Sequence, residues 1–307
     1  MSHEQIARGI GPAHLDIAYE RHGDPAHPPV LLIMGLGAQL IHWAPGFVAE
    51  LVARRLHVVR FDNRDAGRST HLQKAPPADL PAVLRGDLSS VTYTLSDMTG
   101  DALGLLDALG IESAHVVGAS LGGAIAQTLA IRARHRVRSL ASLMSTTGAP
   151  DVGQPHPATL ASLFSGPTVV GREAVIARAL RASAIVGSPA YPSDPSDVAD
   201  LAGRAFDRGH DDAAMARQAV ASVASGDRTA QLRELSIPTL VLHGLSDTLC
   251  DPSGGRATAA AIAGAELVLI EGMGHNLPPA LWPRIADHIA QTVQRGDAVL
   301  RESGGTR

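Results

Sequence analysis

Three residues far apart in the chain have the types and settings needed for acyl transfer: Ser120, Asp247 and His275. Ser120 sits in Gly118-Ala119-Ser120-Leu121-Gly122, a G-x-S-x-G pattern. The apolar run 115–117 before it reads as a buried strand, and 124–130 after it reads as a helix. Strand, sharp turn, helix is the context in which this pattern presents a nucleophile. A serine hydroxyl is a weak nucleophile and needs a histidine beside it. It must also project beyond its sheet, which crowds strand against helix, so Gly118 and Gly122 leave room where a Cβ would clash. The helix N-terminus behind Ser120 offers free N–H groups to an oxyanion.

A base and an acid to orient it should follow the serine, acid first, each just beyond a strand. Two loops qualify. His243-Gly244-Leu245-Ser246-Asp247 follows a strand over 238–242, and Glu271-Gly272-Met273-Gly274-His275-Asn276 follows one over 266–270. Asp247 and His275 then share the C-terminal sheet edge with Ser120, where open parallel sheets carry their sites. His275 would take the serine proton and return it to the leaving group. Asp247 would fix the imidazole tautomer and stay ionised. Asp251 competes as the acid, but it is further from the strand end and precedes Pro252. The oxyanion donors expected are the backbone N–H groups of Leu121 and Leu36, with Gly35 letting the loop after strand 30–34 turn.

Other reactive types get plainer readings. Asp62, Arg64, Asp65 and Arg68 form a charged turn that ties down its own loop. His243 is structural, and Cys250 has no histidine to lower its pKa. No H-e-x-x-H or similar ligand spacing occurs, so neither metal nor cofactor is expected.

The elements that must position these groups alternate. Residues 13–20 alternate apolar and polar, the period of a half-exposed strand at a sheet edge. Continuous apolarity over 29–34 suits a strand buried on both faces. A helix over 43–56 and a strand over 57–61 follow. Then come an irregular excursion over 74–90 and a helix over 95–109 with Ser96 as its cap. Another strand spans 137–144. From 149 to 230 the strand signal vanishes, and helices over 171–186, 196–208 and 212–224 are separated by Pro, Gly and Ser. The rhythm then returns, with a helix over 254–263 and a last one over 279–293. This predicts an α/β fold with a mostly parallel sheet covered on both faces. Its core is 1–148 and 231–307, with a loose tail from 297, and an all-helical cap is inserted at 149–230. Phe164, Leu180, Ile185, Leu201, Phe206 and Met215 of that cap either line a pocket or pack on the core.

The totals agree. Of 307 residues, 45% are hydrophobic, enough for a large core, and the net charge of −4 shows no basic run that would suggest nucleic acid. One cysteine excludes an internal disulfide and fits a reducing, cytoplasmic setting. The N-terminus lacks a basic and then apolar leader pattern, and no apolar stretch approaches the ~20 residues of a membrane span. The partner expected is a small-molecule ester, with neither nucleic acid nor membrane, and a homodimer is left open.

The whole set resembles the α/β-hydrolase superfamily. It comprises Met34-Gly35-Leu36-Gly37 with Trp43, the run from Arg60 to Ser69, the Ser120 motif, and the Asp247 and His275 loops. The branch it is most similar to is that of small esterases like aclacinomycin methylesterase. The resemblance covers about 28–148 and 235–290, and the helical insertion only in kind. It implies a carboxylic ester hydrolase working through an acyl-serine, on small to medium, mostly apolar esters. The family usually has His-Gly where this chain has Met34-Gly35, which bears on the oxyanion donor. Perhydrolase, lactone, amide or C–C bond chemistry on the same site is the alternative, and a non-catalytic binding protein a remoter one.

Overall fold

The computed structural model describes residues 4–164 and 171–304, without the side chains of 164, 303 and 304. The side chain of Phe164, named above, therefore lies outside the described part. Eight strands form one sheet: β1 (Gln5–Ile10), β2 (Leu15–His22), β3 (Pro29–Ile33), β4 (His57–Phe61), β5 (Ala114–Ala119), β6 (Val137–Leu143), β7 (Thr239–Gly244) and β8 (Glu266–Ile270). Their order is β1-β2-β4-β3-β5-β6-β7-β8. β2 is antiparallel to both neighbours, and every pair from β4 to β8 is parallel.

The helices are α1 (Pro45–Ala53), α2 (Leu80–Leu84), α3 (Leu95–Ala108), α4 (Leu121–Arg132), α5 (Pro157–Phe164), α6 (Arg172–Val186), α7 (Pro195–Arg208), α8 (Asp212–Ala224), α9 (Thr229–Leu232), α10 (Ser253–Ala261) and α11 (Trp282–Gly304). The unbroken apolar strands are explained by two core layers. Leu31 and Ile33 of β3 join residues of α3 and α4 on one face, while Val30 and Leu32 join residues of α1 and α11 on the other. Chain order reverses at β3, with β4 on one side and β5 on the other. The loops after β3 and β5 therefore meet at a topological switch point.

Three details depart from the sequence reading. The strand expected at 13–20 is not at the edge, because β1 covers it. β1 gave no periodic signal since Gly9 has φ +64° and the register slips between Ala7 and Ile10. The helix at 95 is capped by Thr94, not Ser96, through a reciprocal capping box with Asp97. The expected loose tail from 297 is helical to Gly304. Asp297 is anchored there by His115 Nε2 at 3.1 Å and Arg138 Nη1 at 3.4 Å, partners no local pattern could reveal. Among the described residues no helix is long and apolar enough to cross a membrane.

Candidate active site

Ser120 sits between β5 and α4 with φ +55° and ψ −120°. A non-glycine residue pays about 1–3 kcal/mol for such a conformation, and it persists only where its surroundings over-determine it. Here they do. A Cβ on Gly118 would lie 2.0 Å from the Gly122 carbonyl oxygen, and one on Gly122 would lie 2.0 Å from that of Ile33. The Ser120 N–H donates to the Leu143 carbonyl at 2.9 Å, pinning the turn to β6.

The loops after β7 and β8 bring the other two groups to this turn. His275 Nε2 is 3.0 Å from Ser120 Oγ, and His275 Nδ1 is 2.6 Å from Asp247 Oδ2. Asp247 Oδ1 accepts the N–H groups of Leu249 at 2.9 Å and Cys250 at 2.8 Å. Burial alone would raise the Asp247 pKa. Hydrogen bonds from His243, His275 and the Cys250 amide overcome it and hold the carboxyl well below the usual carboxylate range. Asp251, the competing acid, instead faces His156 Nε2 at 3.3 Å and the Ser253 N–H. Burial and the two nearby carboxylates push the Cys250 thiol far up, which suits the inert reading it received. Among the described residues no three His, Cys, Asp or Glu side chains are grouped as metal ligands.

The loop after β3 lies against this turn. A Cβ on Gly35 would be 3.1 Å from Ser120 Cβ. Most of the loop's N–H groups are committed. Gly37 donates to Gln218 Oε1 at 2.8 Å, Ala38 to the Gly35 carbonyl at 3.2 Å, Gln39 to His42 Nδ1 at 3.0 Å, and Leu40 to Asp62 Oδ1 at 2.6 Å. The N–H groups of Leu36 and Leu121 have no acceptor among the described residues. Leu121 directly follows Ser120 and Leu36 directly follows Gly35, the residue that lies against Ser120, and each has a donor to spare.

The charged turn after β4 does more than hold itself. Asp62 accepts the Arg68 N–H of its own loop, but also the Leu40 N–H of the segment after β3 and Arg208 Nη2 of α7 at 2.9 Å. Asp65 takes both Nε and Nη2 of Arg217 on α8, at 2.8 and 2.7 Å, and the Tyr93 hydroxyl at 2.8 Å. Arg64 pairs with Asp101 of α3 at 2.6 and 2.7 Å. Thus the turn joins the sheet to α7 and α8. The sequence offered only an excess of charge here, because a polar residue destined for burial on a helix is indistinguishable from a solvated one. Replacing Arg217 by methionine strands the fully buried Asp65 carboxylate and should cost about 3–5 kcal/mol of stability, read as a lower urea midpoint. An unchanged midpoint would show that this pair does not tie the helices down.

Helix α6 reaches the histidine. The His275 N–H donates to the Val186 carbonyl at 2.7 Å, and Ser188 Oγ accepts the Gly274 N–H at 2.9 Å. His243, read as structural, is fully buried; its Nε2 lies 2.7 Å from the Cys250 carbonyl oxygen and 3.4 Å from Asp247 Oδ2. A cavity of about 130 Å³ opens beyond Gly37, with Val175, Phe206 and Met215 as apolar wall and His42, His71 and Arg178 among its polar lining. Of the other helical residues named above, Leu201 packs on Leu40 and Ile41 of the core.

Known proteins resemble the chain throughout. The family model described as alpha/beta hydrolase fold matches residues 28–278. Rhodomycin D methylesterase DnrP of Streptomyces peucetius is 31% identical over 289 residues, covering 86% of this chain and 90% of that protein. The enol-lactonase structure from Burkholderia xenovorans LB400 superposes with a TM-score of 0.68 at 26% identity, covering 96% of this chain and all of that one. The 2-hydroxy-6-oxo-6-phenylhexa-2,4-dienoate hydrolase of Rhodococcus sp. strain RHA1 shares the fold, with a TM-score of 0.71 at 21% identity over 96% of this chain and 100% of that one.

Proposed function

Since the chain belongs to the alpha/beta hydrolase fold family, we propose that it is a carboxylic ester hydrolase in which Ser120, His275 and Asp247 form the catalytic triad. The observation that carries this reading is the continuous hydrogen-bonded chain from Ser120 Oγ through both imidazole nitrogens to Asp247. Likeness to a methylesterase over most of both chains supports the ester bond as the one cleaved.

The steps follow from the geometry. Ser120 Oγ attacks the ester carbonyl while its proton passes to His275 Nε2. The tetrahedral oxyanion is held by the Leu36 and Leu121 N–H groups, each worth on the order of 3 kcal/mol in a site of this kind. Collapse expels the alcohol, which takes the proton from His275 and leaves an acyl-serine. Water then gives a proton to the same histidine and attacks the acyl carbonyl; collapse releases the acid, and Ser120 Oγ takes the proton back from His275. Asp247 stays ionised throughout and stabilises the imidazolium.

The helices inserted between β6 and β7 act in this reading as a cap over the site, corresponding to the region 149–230, with 1–148 and 231–307 as the core. Small to medium, mostly apolar esters are the substrates in this reading. The cytoplasm is its compartment, a setting supported by the single buried cysteine. Sedimentation analysis tests the homodimer. Lactone cleavage is the second reading, favoured by the likeness to an enol-lactonase; a lactone is an internal ester, so the same steps open it.

The test is nitrophenol release from a chain-length series of nitrophenyl esters, with the enzyme quenched during turnover and weighed by mass spectrometry. The expected result is saturable turnover and an added acyl mass on the peptide containing Ser120. Turnover with no acyl-enzyme at any chain length and with no loss in Ser120→Ala argues for direct attack by water and against this mechanism.

A further inference from the structure

We propose that Gln218 of helix α8 is a positioning residue for the oxyanion hole, setting the Leu36 N–H through its hydrogen bond to the next amide. This rests on the reading of Leu36 as an oxyanion donor.

The loop 35–38 is a four-residue turn closed by the Ala38 N–H on the Gly35 carbonyl, with Gly37 at φ +65° in the third position. Positive φ there is the signature of a type II turn, which differs from type I by a flip of its central peptide. That central peptide joins Leu36 to Gly37. Its N–H is the one Gln218 Oε1 accepts at 2.8 Å. Gln218 thus restrains the 36–37 peptide and with it the Leu36 Cα, which is how it bears on the Leu36 N–H, since the flip itself leaves the Gly35–Leu36 peptide unturned.

Gln218 is built for this task. It is fully buried, so an unmet amide end would be costly. Its other end, Nε2, donates to the Arg64 carbonyl at 2.8 Å, which fixes which way the amide points. Arg64 is in turn locked by its buried pair with Asp101. Met215, one helical turn earlier, presses its Cγ and Sδ on the same glycine, where a Cβ would come within 3.0 Å of both. The neighbouring Arg217 anchors α8 to Asp65. Below the loop, Asn63 Nδ2 holds the Met34 carbonyl at 2.9 Å. The turn is therefore gripped from the sheet side by Asn63 and from the helical insertion by Gln218. An oxyanion hole stabilises charge because its donors are already in place when the charge develops, so loosening the grip should be felt in the transition state.

The test uses the full chain. Gln218→Met keeps most of the volume and removes both polar ends, and Gln218→Ser leaves room for water at the freed carbonyl. Each variant should lower kcat for a nitrophenyl ester by about tenfold or more, with KM held within about threefold of wild type. A trifluoromethyl ketone, whose serine adduct carries a tetrahedral oxyanion, should lose affinity by a similar factor. A merely structural residue would lower Tm and leave kcat and ketone affinity of the folded enzyme unmoved. Wild-type values of both in a cooperatively folded variant overturn the proposal; should the methionine variant not fold, the serine variant decides. Ser120→Ala is run alongside. Absent wild-type turnover sinks the ester-hydrolase reading itself, and turnover that survives Ser120→Ala sinks the Ser120 mechanism within it. Full activity in the Gln218 variants with Ser120 dependence intact sinks only this inference.

Discussion

Ser120→Ala is expected to lower kcat/KM for nitrophenyl esters by at least about four orders of magnitude, since loss of a triad nucleophile costs up to about 10⁶ in kcat. The thermal transition should move little. Among the described residues the only side-chain hydrogen bond that Ser120 makes is to His275, and the backbone that holds the turn is anchored by the Leu143 carbonyl and by the two glycines. Alanine keeps the same strained φ, so the strain is neither relieved nor added. His275 Nε2 is then left with no hydroxyl to deprotonate. The measurement is steady-state turnover beside a melting curve. Activity within tenfold of wild type would mean that the elbow is misread and that another nucleophile or an activated water does the work.

Asp247→Asn is expected to lower kcat by about 10⁴, the cost of presenting the wrong imidazole tautomer to the nucleophile. Two features make this a clean test. Asparagine retains an oxygen for the Leu249 and Cys250 N–H groups, so the loop should keep its shape. The atom it changes is the one 2.6 Å from His275 Nδ1, where an NH₂ donor would meet an N–H donor. The ring must then turn or carry its proton on Nε2, and it can no longer accept the serine proton. Substituting Asp251, which faces His156, should leave kcat within about threefold, as surface changes away from the chemistry do. The reverse pattern would transfer the acid role to Asp251.

Much of this was legible in the sequence because it is local. The elbow needs two glycines at fixed spacing around a serine, and the close approaches of Gly118 and Gly122 show why. Asp247 and His275 could be placed because parallel strands deliver their loops to one edge. The helices at 171–186, 196–208 and 212–224 lie within two residues of α6, α7 and α8, since each is bounded by Pro, Gly or Asp. What escaped was long-range. The charged turn reads as self-contained, yet the partners of Asp62 and Asp65, Arg208 and Arg217, lie about 150 residues away. Gln218 sits in an alanine-rich helix, where one polar residue carries no sign of burial. His243 read as structural, and nothing local indicated that its ring would lie beside the Asp247 carboxylate. β1 escaped because a bulge and a glycine break the two-residue period on which strand reading depends.

The bond from the His275 amide to the Val186 carbonyl has a bearing on how such a protein can be re-engineered. The helical insertion looks like a removable module in the linear chain, entering and leaving between two neighbouring strands. Yet its first long helix supplies the backbone oxygen that suspends the histidine loop, and its third contributes the amide that clasps the turn at Gly37. A chimera that swaps residues 149–230 for the equivalent stretch of a relative would exchange both of these contacts along with the insertion. Recombination breakpoints that respect the site should therefore leave Val186 to Ser188 and Gln218 with the parent that provides Met34 to Ala38 and Gly272 to Asn276, and draw new specificity from the segments between them.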